Sequence, residues 1–346
     1  MRPLAHAEIR GNWATLMLPI EPDEGIGFSR LSDEIDRLID FKVDGIYSNG
    51  TAGEFFTQTE EEFLLVNALL AEKCERAEMP FQVGAGHMSP QLALRRVEAA
   101  RDLAPSAIQV ILPDWFPVTD GEAVRFLNRA AELAGGVGLV LYNPPHAKRR
   151  LGSADFLHLL DRVPSLVGMK VADGGDEWYR EMRPVFARAS VFVPGHHLAS
   201  GVRRGAHGAY SNVACLSPLH AQRWWDLMRT DLPAALEIER EVRGFWENFL
   251  DPYISVRRHP NFAVDKFAAA VGNWADIGTR VRFPYASIDE KEADALRERL
   301  PALLPGFLYQ GKILTPPKGR GIFDAERGAG ARRSSATLSG ERQSEV

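Results

Sequence analysis

Leu166-Val167-Gly168-Met169-Lys170-Val171 is a short apolar run with one charge inside it. A continuous apolar stretch of this length suits a strand covered on both faces, as in a parallel sheet. Seven more runs share its character: Ala14–Pro19, Gly45–Ser48, Phe81–Ala85, Ala107–Leu112, Gly138–Tyr142, Ser190–Pro194 and Gly208–Val213. Stretches with apolar residues at helical spacing separate them. Phe28–Phe41 carries Leu31, Ile35 and Leu38; Glu60–Cys74 carries Phe63, Val66 and Leu70; Ala123–Leu133 carries Val124, Leu127 and Ala131. Helix starts are signalled by Thr59 before Glu61 and Glu62, by Ser89 before Pro90, and by Ser153 before Asp155. Eight strand–helix units by about residue 215 predict a closed (β/α)8 TIM barrel. A doubly wound open sheet is the competitor, but no G-x-G-x-x-G follows the first run, which weakens its dinucleotide-binding form.

Beyond the barrel, Ser217–Leu308 reads as a C-terminal helical appendage. One helix starts after Asp231-Leu-Pro, another runs through Phe262–Val271, and a last one covers Asp289–Leu303. From Pro316 to Val346 there is little besides Pro, Gly, Ser, Ala and charge, too little apolar surface to offset the entropy of ordering. The expected organisation is a barrel over residues 1–215, a helical region over 216–310 and a flexible tail over 311–346.

Composition narrows the function classes. The 346 residues are 45% hydrophobic and 25% charged, with a formal net charge of −5. That balance does not fit a basic nucleic-acid binder driven by counterion release. No run approaches the roughly 18 consecutive apolar residues of a membrane span. Met1–Gly11 has no apolar segment behind a basic start, and two cysteines, Cys74 and Cys215, make no disulfide framework. A cytoplasmic protein with reduced thiols, bound to neither nucleic acid nor membrane, is the expectation.

In a barrel of this kind function sits at the carboxyl ends of the strands. Lys170 is costly to bury as a cation, and desolvation that lowers its pKa would leave a neutral amine able to attack a carbonyl; a strand-end lysine reaching solvent is the plainer alternative. The second run ends in Ser48-Asn-Gly-Thr-Ala-Gly-Glu54, whose glycines and N–H groups could cradle a carboxylate or simply make a turn. The fifth ends in Tyr142-Asn-Pro-Pro145, where the phenol is either a proton relay or a rim aromatic. The last carries Gly205-Ala-His-Gly-Ala-Tyr-Ser-Asn212, whose glycines suggest crowding near a ligand or a turn.

Together these segments resemble the dihydrodipicolinate synthase / N-acetylneuraminate lyase family of lysine Schiff-base aldolases and lyases. Asn49-Gly-Thr-Ala-Gly-Glu54 is similar to its Gly-(Thr/Ser)-Thr-Gly-Glu loop, Tyr142-Asn-Pro to its Tyr-Asn-x-Pro segment, Val167-Gly-Met-Lys170 to its lysine strand, and Gly205–Ser211 to its Gly-x-x-Gly-x-Ile-Ser segment. The resemblance spans about Asn12 to Leu304. It implies that Lys170 forms an iminium with a 2-oxo acid such as pyruvate, and that Tyr142 shuttles protons. Thr51 and Ala52 would hold the carboxylate with Gly50 keeping the loop close, and the Tyr210 carbonyl would lie near the ligand. No metal or organic cofactor is implied, because the covalent Schiff base supplies the electron sink. A homotetramer or homodimer is implied as well.

The chain departs from the family pattern in several places. The second hydroxyl of the loop is replaced by Ala52. Leu112-Pro-Asp-Trp-Phe116 stands where Thr-Pro-Tyr-Tyr is usual, which puts Trp115 in place of a relay tyrosine; an indole only donates. The synthase's arginine five residues after Tyr142 is Ala147, followed by Lys148, and alanine offers no bidentate grip on a carboxylate. His196 and His197 stand where the sialic acid lyase branch has acidic residues, either as ligand contacts or as a helix cap. With Lys148, Trp115 and Asn212 they are the expected distal pocket. The reading is a lyase that cleaves, condenses or dehydrates a 2-oxo-3-deoxy sugar acid or related compound, rather than a true dihydrodipicolinate synthase. Trp115 also suits a hydratase-aldolase releasing an aromatic aldehyde. Ala52 and Trp115 leave open a 2-oxo acid binding or regulatory protein on the same barrel.

Overall fold

The strands that form are β1 (Gly11–Thr15), β2 (Gly45–Ser48), β3 (Phe81–Gly84), β4 (Ala107–Ile111), β5 (Leu139–Asn143), β6 (Leu166–Val171), β7 (Ser190–Phe192) and β8 (Gly208–Tyr210). They are all parallel and close into a barrel in chain order, with Trp13 of β1 opposite Gly45 of β2 on one side and Tyr210 of β8 on the other. This computed structural model describes residues 1–309 and Gly311, so the expected tail over 311–346, Gly311 apart, lies outside the described residues.

The first strand begins earlier than its apolar run. Gly11–Thr15 pairs in the sheet, whereas Leu16, Met17 and Leu18 are buried beyond it in the connection to α1, where the Met17 N–H donates to Glu34 Oε1 at 2.8 Å. Hydrophobicity marked burial there, and burial does not distinguish a strand from a connection running under a helix.

Seven helices alternate with the strands: α1 (Phe28–Asp40), α2 (Glu60–Arg76), α3 (Pro90–Asp102), α4 (Asp120–Ala134), α5 (Ser153–Arg162), α6 (Asp176–Phe186) and α7 (Leu198–Arg203). Thr59 caps α2 in a reciprocal box with Glu62, and Ser89 caps α3 ahead of Pro90. Ser153 is instead the first helical residue of α5; Asp155 reaches back to accept from the Gly152 N–H at 2.8 Å.

After β8 come α8 (Asn212–Leu216), α9 (Pro218–Thr230), α10 (Leu232–Phe245), α11 (Asp251–Ser255), α12 (Asn261–Gly272) and α13 (Glu290–Leu303). α9 packs on β1, so the helical layer of the barrel continues past residue 215. Trp224, Trp225 and Trp246 are core residues, at 3%, 8% and 6% exposure.

The barrel interior is filled by Trp13, Tyr47, Ala107, Val140, Phe192 and Tyr210. Gly45 is required there, because a Cβ would stand 2.6 Å from the Trp13 ring. Tyr210 stacks on Phe192 at 4.5 Å and meets Tyr47 edge-on at 4.7 Å. This aromatic plug leaves one end of the barrel for a cavity. Among the described residues, no helix is long and apolar enough to cross a membrane.

Candidate active site

Tyr142 and Lys170 are direct register partners on β5 and β6, so their spacing of 28 in sequence places them side by side at the strand ends. Lys170 is half-buried, open only partly toward the cavity mouth. Its Nζ donates to Tyr47 Oη at 3.4 Å. It lies 4.2 Å from the centre of the Tyr142 ring, 5.1 Å from that of Tyr47 and 5.5 Å from that of Tyr210. Burial pulls its ammonium down from 10.5 to about 8, while Asp265 and Cys215 act the other way. Burial raises the Tyr142 phenol, which the Thr51 hydroxyl partly offsets at 3.3 Å from Tyr142 Oη.

Thr51 stands on a loop held from several sides. Asn49 and Glu54 sit in the left-handed region at φ 56° and 48°. Asn49 Nδ2 donates to Gln58 Oε1, and Gln58 Nε2 to the Gly53 carbonyl. Gly53 lies so close to the Leu16 carbonyl that a Cβ would be 2.8 Å from it. Glu54 forms a fully buried ion pair with Lys266 of α12. The loop, β5, β6, α8 and α12 together enclose a cavity of about 280 Å³, lined by Thr51, Ala52, Tyr142, Lys170, Asn212 and Asp265 among others. A second cavity of about 570 Å³ adjoins it through Thr51, Tyr142 and Asn261.

A strand-end lysine with a lowered pKa beside a hydroxyl pair can serve carbonyl chemistry, and the chain as a whole matches a known group of proteins. The sequence model of the dihydrodipicolinate synthetase family fits residues 8–303. The chain belongs to that family. A 4-hydroxy-tetrahydrodipicolinate synthase from Thermomicrobium roseum is 29% identical over 318 residues, covering 90% of this chain and 99% of the relative. A probable 5-dehydro-4-deoxyglucarate dehydratase from Methylobacterium radiotolerans is 26% identical over 88% of this chain and 98% of its own length. Among solved structures, a prophage protein of the dihydrodipicolinic acid synthase family from E. coli K12, in complex with pyruvate, superposes with a TM-score of 0.75. It is 21% identical and covers 85% of this chain and 98% of its own. As a dihydrodipicolinate synthetase family protein, this chain is an enzyme of the lyase and aldolase type, acting on carbon–carbon or carbon–oxygen bonds.

The fold brings together Lys170, Tyr142, Thr51, Ala52, Tyr210, His196 and Asn212 around the smaller cavity. Asn212 orients His196: its Nδ2 donates to the ring Nδ1 at 2.8 Å, and its Oδ1 accepts the His196 N–H at 3.3 Å. Burial lowers the His196 imidazole to about 4, so it is neutral at pH 7. Gly50 does not line the cavity; a Cβ there would be 2.5 Å from the Tyr47 ring, so its close approach is to that ring. His197 also points elsewhere and pairs with Asp173 at 3.0 Å. Trp115 is 70% exposed on the rim, with Lys148 Nζ 4.9 Å from its ring centre and bonded to its carbonyl at 2.8 Å; neither lines either cavity.

Several cavity residues escaped the sequence reading. Tyr47 lies inside β2, Cys215 on α8, and Trp246 in the π-helical turn Trp246–Leu250. Asp265 lies on α12. Its sequence signal was the charged pair Asp265-Lys266 inside the otherwise apolar Phe262–Val271.

Proposed function

We propose that this chain is a lysine Schiff-base lyase whose substrate is a 2-oxo-3-deoxy sugar acid or related 2-oxo acid. The observation that carries the reading is the position of Lys170 Nζ, at the cavity wall and against Tyr142, with the Thr51 hydroxyl bonded to the same phenol. The neutral amine attacks the C2 ketone, and loss of water gives an iminium. The three tyrosine faces around Nζ suit a cation at that point, and the iminium is one. Thr51, with the N–H groups of Thr51 and Ala52, holds the carboxylate; Tyr142 relays protons as water leaves. The iminium is the electron sink, so the reaction needs no metal or organic cofactor. A cytoplasmic location and a homotetramer or homodimer are part of this reading; Trp115 and Phe116, exposed at 70% and 81%, support an interface between subunits.

Dihydrodipicolinate synthesis fits the site less well. Ala147 offers no cation, and Arg149, which lines the larger cavity, is held by Asp120, by Asp155 at 3.1 Å and by the Val118 carbonyl at 2.7 Å. Its guanidinium is thereby committed before a second carboxylate arrives.

One observation favours a second substrate class. The larger cavity is lined by Phe55, Phe56, Met88, Ile111, Phe262 and Tyr285 among others, an apolar and aromatic wall suited to a hydratase-aldolase that releases an aromatic aldehyde. A panel of 2-oxo-3-deoxy sugar acids and aryl-substituted 2-oxo acids tests both. The expected result is cleavage or dehydration of one class by the wild type and none by Lys170→Ala. Equal turnover by Lys170→Ala would contradict the proposal.

A further inference from the structure

Asp265 faces the same cavity as Lys170, from a different element. Two contacts fix the helix that carries it. Lys266, the next residue, pairs with Glu54 and donates to the Arg280 carbonyl at 2.6 Å. At the far end of α12, Gly272 packs where a Cβ would overlap the Leu216 carbonyl of α8. Val264 and Asn261 line the cavity beside Asp265. The carboxyl itself is half-buried and makes no hydrogen bond or ion pair with another described residue, although its charge is felt by Lys170, Tyr142, Tyr47 and Cys215. A desolvated carboxyl left without a donor is costly, and such groups cluster where chemistry uses them.

The hydroxyl relay at Tyr142 is short. It runs from Tyr142 to Thr51, and the next loop position is Ala52. Trp115 stands out on the rim and can only donate. A reaction through an enamine nonetheless needs a group that takes a proton and gives it back.

We propose that Asp265 is the acid–base residue that moves the C3 proton of the 2-oxo acid bound to Lys170; this rests on the Schiff-base reading above. The C3–H bond breaks and its proton goes to the Asp265 carboxylate. The bond pair becomes the C2–C3 double bond, and the iminium π pair returns to nitrogen, leaving a neutral enamine and a neutral carboxylic acid. In a dehydration the nitrogen pair re-forms the iminium, C3 joins C4 by a double bond, and the C4 hydroxyl departs as water with the proton from Asp265. In an aldol cleavage the carboxylate instead takes the C4 hydroxyl proton: the O–H pair becomes the aldehyde C=O, the C3–C4 pair becomes the C2–C3 double bond and the iminium π pair returns to nitrogen. The carboxylic acid so formed then protonates C3 of the enamine, and the nitrogen pair re-forms the iminium. Burial holds this carboxyl at about 7, against the pull of Lys170, so both of its forms are present near neutrality.

Pyruvate in deuterated buffer isolates the step, with methyl exchange followed by proton NMR and the Schiff base followed by borohydride trapping and peptide mass. Asp265→Asn is expected to trap pyruvate at Lys170 as the wild type does, while methyl exchange slows by about a hundredfold or more. Asp265→Glu is expected to recover part of the exchange. Exchange in Asp265→Asn within about threefold of wild type would overturn the proposal. So would loss of trapping in Asp265→Asn alone, which would move its role to binding or folding. A wild type that traps nothing would sink the Schiff-base reading first, and this inference with it.

Discussion

At Lys170 burial and charge work against each other. Desolvation brings the ammonium to about 8, while Asp265, Cys215 and the surrounding tyrosine rings favour the cation. In the proposed chemistry the neutral amine is the nucleophile, so the rate of Schiff-base formation should rise about tenfold per pH unit below 8 and level off above it. The sign also reaches stability. The unfolded chain holds this proton up to 10.5 and the folded chain only to about 8, so the Lys170 contribution favours folding increasingly as pH rises across that window. Stopped-time borohydride trapping from pH 6 to 9 checks the rate; a flat profile would contradict it. Thr51→Val keeps the shape and removes the hydroxyl, so KM for the 2-oxo acid should rise about tenfold with the loss of one charge-assisted hydrogen bond. Lys170, Tyr142 and Thr51 were legible in the sequence because each ends a strand run in a barrel. Asp265 was not, because it reaches the cavity from a helix distant in sequence, and no strand-end rule points to it.

Among the elements, α12 brings Asp265, Val264 and Asn261 to the cavity wall. Its buried Lys266 pairs with Glu54 of the loop that carries Thr51 and thus couples that loop to the helix carrying Asp265. Lys266→Met would leave Glu54 without its cation, at a cost of about 3–5 kcal/mol. Urea denaturation should show that loss, and a midpoint unchanged from wild type would rule the coupling out. Helix positions were readable where local chemistry sets them. Asp231 accepts from the Ala234 N–H at the start of α10, and Thr59 and Ser89 cap as their sequence context suggests. β1 was placed too late because Leu16, Met17 and Leu18 are buried past the strand's end, where the Leu16 N–H still bonds the Tyr47 carbonyl at 2.8 Å, and the strand itself owes its register to neighbours on β2 and β8.

At the scale of the whole molecule, the barrel was legible as a pattern of eight alternating units, whereas the two adjoining cavities were not, since they arise from side chains on separate elements. Trp13, 1% exposed, fills the interior below the cavity in space that Gly45 leaves open. Trp13→Ala should cost about 3–5 kcal/mol by cavity formation and lower the Tm. A thermal melt indistinguishable from wild type would show that the interior collapses around the gap.

The central claim is that Lys170 forms a Schiff base with a 2-oxo acid. Wild-type enzyme incubated with pyruvate, reduced with borohydride, digested and analysed by tandem mass spectrometry tests it directly. The account predicts one modified residue, Lys170, heavier by pyruvic acid less one oxygen atom. An unmodified Lys170, or an adduct carried equally by surface lysines, would contradict it.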